Sequence, residues 1–247
     1  MIRYVGTLAF DGTGFVGWQT QKNGQSIQEE VERVLSQILN EPIVVHGSSR
    51  TDAGVHAEGF MFHMDTTSTL KKEDIVRGFN RLVHPQLVLR SLQKVNPSFE
   101  AQFTPSIKTY RYQLYTGMRN PFLSRYAHYY YLPMNVTLLK KVSRLFVGTY
   151  RFHNFTVKED DQLNFIRTIR SIRMSMDDQI LTITFVGKGF MTHMVRMIVG
   201  TFLAVQEGKL TMHDVQTKLS GTSVRQPVSF KAPPHGLYLE KVHYAKT

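Results

Sequence analysis

Ser26-Ile27-Gln28-Glu29-Glu30-Val31-Glu32-Arg33-Val34-Leu35-Ser36-Gln37-Ile38 is the stretch from which the fold can be read. Ser26 with Glu29 three residues on forms a capping box, in which each side chain satisfies the other residue's backbone amide at a helix start. Ile27, Val31, Val34, Leu35 and Ile38 then fall on one face at helical spacing. Upstream, Ile2 to Phe10 has strand composition and ends in the loop Asp11-Gly12-Thr13-Gly14. Downstream, Pro42 to His46 and Gly59 to Met64 read as strands, the latter alternating Phe60, Phe62 and Met64. Ile75, Phe79 and Leu82 mark a second helix, and Leu87 to Val95 a fourth strand. The order is β-α-β-β-α-β.

The rest of the chain gives a similar series. Ile107 to Thr116 alternates as a strand, and Val136 to Val147 is helical in pattern, stopped by Gly148. Phe165 to Met174 and Ile180 to Val186 read as strands, followed by a long helix from about Phe190 to Glu207. Thr211 and Asp214 start a short helix, and Leu237 to His243 closes as a strand. The pattern predicts an α+β protein of two ferredoxin-like halves, their mainly antiparallel sheets backed by helices, with a cleft between them. The halves are placed at residues 1–100 and 101–247, and no Gly/Ser linker separates them.

Composition narrows the chemistry. The 247 residues are 42% hydrophobic and contain no cysteine, which excludes disulfides, thiolate metal sites and thiol nucleophiles and suits a reducing cytoplasm. No apolar run approaches the ~20 residues that span a bilayer, and no secretory leader pattern opens the chain. The expectation is a soluble cytoplasmic protein. Its net charge of +11 is unevenly placed: residues 1–100 carry 10 basic and 11 acidic side chains, residues 101–175 carry 12 and 3. A one-sided basic surface fits a phosphate backbone, although charge alone fits a solvated face equally well. Tyr110, Tyr112, Tyr115, Tyr126, Tyr129, Tyr130 and Tyr131 lie among Lys108, Arg111, Arg119 and Arg125, and rings beside cations suit RNA. Ordinary strand packing also favours tyrosine.

Gly47-Ser48-Ser49-Arg50-Thr51-Asp52-Ala53-Gly54-Val55-His56-Ala57 joins two of the strands. On generic grounds Asp52 is a turn residue, since Asp-Ala-Gly suits a tight connection. The stretch also resembles the GRTDAGVHA signature of the tRNA pseudouridine synthase A family. Four further blocks resemble that family in its own order. They are Asp11-Gly12-Thr13-Gly14-Phe15-Val16-Gly17-Trp18-Gln19, Lys108-Thr109-Tyr110-Arg111-Tyr112, Gly189-Phe190-Met191-Thr192-His193-Met194-Val195-Arg196, and Ala232-Pro233-Pro234-His235-Gly236-Leu237-Tyr238-Leu239. Together they reach from residue 11 to residue 239.

The resemblance implies an isomerase that converts uridine to pseudouridine in the tRNA anticodon stem-loop, nominally at nucleotides 38 to 40, and works as a homodimer without cofactor or metal. It implies that Asp52 is the nucleophile, that Tyr110 contacts the flipped uracil and is a candidate acceptor for its C5 proton, and that Arg196 pairs with Asp52. Arg50 is then placed beside the flipped nucleotide, and Leu237 forms an apolar wall. Ser49 replaces a glycine common in the family and Gln102 an arginine, which puts one RNA contact in doubt. Two other readings remain: a non-catalytic RNA-binding protein, which lacks a clear RNP1 sequence, and a metal-assisted nuclease, which lacks an acidic cluster. His46, His56, His63 and His193 have no partner at ligand spacing and read as structural residues. Met191, Met194 and Met197 read as core.

Overall fold

A computed structural model describes residues 1–159, 164–220 and 225–244. The chain forms two compact units: Met1–Ser106 with the C-terminal strand from Tyr238, and Ile107–Leu237.

The first unit contains β1 (Ile2–Phe10), α1 (Ile27–Leu39), β2 (Val45–Gly47), β3 (His56–Thr66), α2 (Lys72–Leu82) and β4 (Leu87–Lys94). Its sheet runs β4-β1-β3-β2 with every pair antiparallel, the ferredoxin-like order. The capping box at α1 forms as read: the Glu29 amide donates to Ser26 Oγ and the Ser26 amide to Glu29 Oε2. Ile27, Val31, Val34 and Leu35 are fully buried, and the helix ends at Asn40 in the left-handed conformation. Glu30 on this helix is buried. Desolvation alone would raise its carboxyl pKa, but Arg33 and the His84 amide outweigh burial and hold it below the usual carboxylate value.

β2 is shorter and later than the Pro42 to His46 strand read from sequence. Helix side chains capture the backbone donors there: the Ile43 amide bonds Ser36 Oγ and the Val45 amide bonds Glu32 Oε1. Pro42 has no amide to give.

The second unit contains β5 (Ser106–Tyr115), β6 (His128–Tyr129), α3 (Val136–Arg144), β7 (Gly148–Arg151), β8 (Ile166–Asp177), β9 (Ile180–Gly187), α4 (Met194–Gln206) and α5 (Met212–Leu219). Its strands run β5-β9-β8-β7, all antiparallel, with the two-residue β6 parallel to β5. β5, β9 and β8 repeat the lanes β1-β3-β2 of the first unit, and β7 adds a lane that sequence periodicity did not mark. The sheet core holds Tyr112, Leu114, Leu181, Ile183 and Phe185.

α4 begins at Met194, four residues later than the pattern implied. His193 adopts φ 62, a left-handed conformation that no helix interior tolerates, and so becomes the N-cap. From Met194 to Val205 every residue of α4 is buried. The helix is therefore buried all round, Arg196 and Thr201 included. Met194 and Met197 are core, as read, whereas Met191 precedes the helix and is only half-buried.

The last strand, β10 (Leu237–Tyr244), was grouped by sequence position with residues 101–247. It pairs in parallel with β3, Tyr238 opposite His56 and Leu239 opposite Ala57. From Tyr238 it therefore belongs with the first unit.

Candidate active site

Asp52 stands in the first unit, in the connection from β2 to β3, and is partly exposed. Its carbonyl accepts from the Val55 amide at 3.2 Å, closing a tight turn in which Gly54 takes φ 73. The turn reading of Asp-Ala-Gly is thus correct for the backbone, and it leaves the carboxylate's chemistry open.

The loop after β1 pins this turn on both sides. The Trp18 amide donates to the Thr51 carbonyl at 3.2 Å, and the Trp18 ring lies stacked on Phe60 at 4.1 Å. Gly17, at φ 107, passes so close that a Cβ there would stand 2.5 Å from the Thr51 oxygen. A Cβ on Gly12 would stand 2.1 Å from the Val55 oxygen. Real Cβ atoms do not come that near a carbonyl, so glycine at both positions is what lets the two loops touch. The blocks Asp11 to Gln19 and Gly47 to Ala57, distant in sequence, are one structure.

His56 completes the pinning. Its Nδ1 lies 3.1 Å from the Gly12 amide nitrogen and 3.0 Å from Asp11 Oδ1, and its ring tilts over Tyr238 at 4.8 Å. An unprotonated Nδ1 accepts from Gly12, whereas a protonated one donates to Asp11. Either way it is a positioning residue. Among the described residues no group of three His, Cys, Asp or Glu side chains is arranged to hold a metal. Arg50 is exposed on the same loop.

Tyr110, Arg196 and Leu237 belong to the second unit. Tyr110 is buried on β5 opposite Phe185, with its ring edge-on to Phe190 at 5.2 Å. Phe190, expected near the start of the long helix, comes instead from the loop before α4. Arg196, in the first turn of α4, is 7% exposed. Its Nε donates to the Ala232 carbonyl at 2.9 Å, while the Ala232 amide returns a bond to the Arg196 carbonyl. The next carbonyl, Pro233, accepts from Tyr112 Oη at 2.9 Å. Arg196 and Tyr112 thus hold consecutive carbonyls of one strap, which leads through Gly236 to the buried Leu237. Burial pushes the Tyr112 phenol far above its usual value, against a smaller downward pull from Arg196, so it stays neutral as a donor.

Lys108 is a feature the charge count could not resolve. It sits two residues before Tyr110, on the same face of β5. Burial, aided by the charge of Arg167, pushes its ammonium down to about 8. His128 is likewise pushed down to about 4 by burial, with His235 adding to the effect. The tyrosine cluster divides. Tyr110, Tyr112, Tyr115 and Tyr130 are buried, while Tyr126 and Tyr131 are exposed.

A family model described as tRNA pseudouridine synthase matches residues 142–245. The tRNA pseudouridine synthase A of Geobacillus sp. (strain WCH70) is 38% identical over 240 residues, 96% of each chain. That of Streptococcus thermophilus (strain CNRZ 1066) is 34% identical over 248 residues, covering 99% of this chain and 100% of the relative. That of Geobacter sulfurreducens is 36% identical over 238 residues, 96% of this chain and 97% of the relative. On likeness of this depth over nearly the full length of both chains, the chain belongs to the tRNA pseudouridine synthase A family.

Proposed function

We propose that this chain isomerises uridine to pseudouridine in the anticodon stem-loop of tRNA, at nucleotides 38 to 40, with Asp52 as the nucleophile. The observation that carries the reading is the Asp52 turn, gripped by two glycine approaches and a buried histidine, a fixed mount for a partly exposed carboxylate. A covalent nucleophile must be held in place, because small displacements cost large factors in rate.

The reaction breaks the bond from C1′ to N1, turns the uracil, joins C5 to C1′ and releases the C5 proton. Atoms and electrons balance without redox, so the protein's tasks are to extrude the base, supply one carboxylate and hold the detached ring. Arg196 is assigned to pair with Asp52, keeping the carboxylate charged as a base enters and water leaves. The bond from its Nε to the Ala232 carbonyl, which limits the side chain's freedom, supports that reading. Tyr110, braced by Phe190, is assigned to the face of the uracil, with Leu237 as an apolar wall and Arg50 beside the flipped nucleotide. A net charge of +11 fits a polyanionic partner. The family resemblance supports action as a homodimer in the cytoplasm, with no cofactor. Among the described residues no helix is long and apolar enough to cross a membrane.

The position is tested with stem-loop transcripts tritiated at uracil C5, each carrying uridine at only one place. Release from 38, 39 or 40 and none from loop uridines elsewhere is the expected pattern. Release confined to other positions would overturn the assignment.

A further inference from the structure

From Ala101 to Lys158 the sequence has nine Lys and Arg residues and not one acid. Within that stretch, the chain between β5 and β6 forms a braced arm. Its root is fixed to the β8–β9 hairpin: the Thr116 amide and hydroxyl both donate to the Gln179 carbonyl, at 2.8 and 3.0 Å. Its tip is fixed by Asn120, whose Oδ1 accepts from the Phe122 amide at 2.9 Å and whose carbonyl accepts from the Ser124 amide at 3.1 Å. The Tyr126 and Ala127 amides both turn back to the Leu123 carbonyl. So much internal bonding makes a set knuckle rather than a slack loop.

This knuckle presents the wrong residues to water. Met118 is 87% exposed and Phe122 84%, beside the exposed Arg119 and Arg125, with the Arg125 guanidinium 5.8 Å from the Tyr126 ring centre. An ordered turn that holds an aromatic ring and a thioether in solvent, between cations, has the chemistry of a single-strand RNA contact: a flat face for a base and guanidinium forks for phosphates. At the root, Asp177 ends β8 and Asp178 lies in the turn at φ 49, next to Gln179.

We propose that the Met118–Tyr126 arm is an RNA-docking element that stacks an unpaired base of tRNA on Phe122 and pairs flanking phosphates with Arg119 and Arg125. The proposal rests on tRNA being the substrate. It adds a contact made by residues that take no part in the chemistry, so the arm sets affinity and leaves the isomerisation step alone.

The test measures fluorescence anisotropy of labelled tRNA with the full chain, alongside single-turnover tritium release at saturating protein and size-exclusion mass. Phe122→Ala is expected to weaken tRNA binding by roughly 5- to 150-fold, the range for losing one base–aromatic stack. Its single-turnover rate and mass are expected to match those of the parent. Arg119→Gln with Arg125→Gln is expected to flatten the dependence of log affinity on log salt by about 1.4, two single-strand phosphate contacts. Unchanged affinity in Phe122→Ala would overturn the proposal. So would a fall in mass, which would make the arm an interface between copies. Tritium release by the parent protein reports the isomerase reading separately: a parent that binds through Phe122 without releasing label fails there, not here.

Discussion

The two units share three lanes, β1-β3-β2 in the first and β5-β9-β8 in the second, but differ in chemistry. The first, built on β4-β1-β3-β2, uses close backbone approach to fix an acidic turn: Gly12 and Gly17 let one loop clasp another, and His56 locks the join. The second, built on β5-β9-β8-β7, is basic and aromatic. It fixes side chains by bonding them to carbonyls of a strap, Arg196 to Ala232 and Tyr112 to Pro233. The same three-lane core therefore supports two ways of holding a functional group. One makes the backbone rigid; the other makes the side chain rigid. Fold alone predicts neither role, and the division between an anion mount and a cation and ring mount is what the sites add.

The sharpest way to break this comparison is at the strap. Arg196→Ala is expected to cut single-turnover tritium release by about 10³-fold, as for losing an electrostatic partner at the reacting centre, with tRNA affinity changed less than about threefold. An equal loss of rate and affinity would make Arg196 a phosphate contact. At the clasp, Gly17→Ala is expected to cost about 10²-fold in rate by moving the Asp52 turn, since its Cβ meets the Thr51 oxygen. Normal activity in that variant would show that the turn tolerates displacement.

Acid should strain both units alike. His63 in the first unit is pushed down from 6.5 to about 4 by burial, with His46 and Arg3 adding, and His128 in the second behaves similarly. The unfolded chain then binds protons that the folded one refuses, so their stabilising effect is whole above pH 6.5 and is lost as pH falls toward 4. Melting against pH should show a slope of up to about 1.4 kcal/mol per pH unit per histidine in that window, and His63→Gln should remove part of it. A flat profile would mean that neither ring is held neutral. The smallest effect is expected at Tyr112→Phe. Losing one hydrogen bond to Pro233 costs about 1 kcal/mol, or roughly 2–4 °C in Tm.

How much of this was legible depended on range. The α1 capping box and the start of α5 at Thr211 and Asp214 are local patterns, and both formed as read. β6 and β7, at two and four residues, are too short to show a period. The start of α4 was misplaced because His193 turns left-handed, which no propensity announces. The pairing of β10 with β3 was hidden because a strand's sequence does not name its neighbours. At the site, the glycines of the first loop were visible signals, but their target, the carbonyls of Thr51 and Val55, lay about forty residues away. The pairing of His56 with Asp11 and Gly12 was unreadable for the same reason.

The central claim concerns one carboxylate, and one substitution isolates it. Asp52→Asn keeps the size of the side chain and leaves its carbonyl free to close the same turn with Val55. Tritium release from stem-loop RNA and RNA affinity should be measured together on this variant and its parent. The account expects release to fall by ~10⁴-fold or more, as for removing a nucleophile, while affinity stays within about threefold. Release that persists near the parental rate, with RNA still bound, would contradict it.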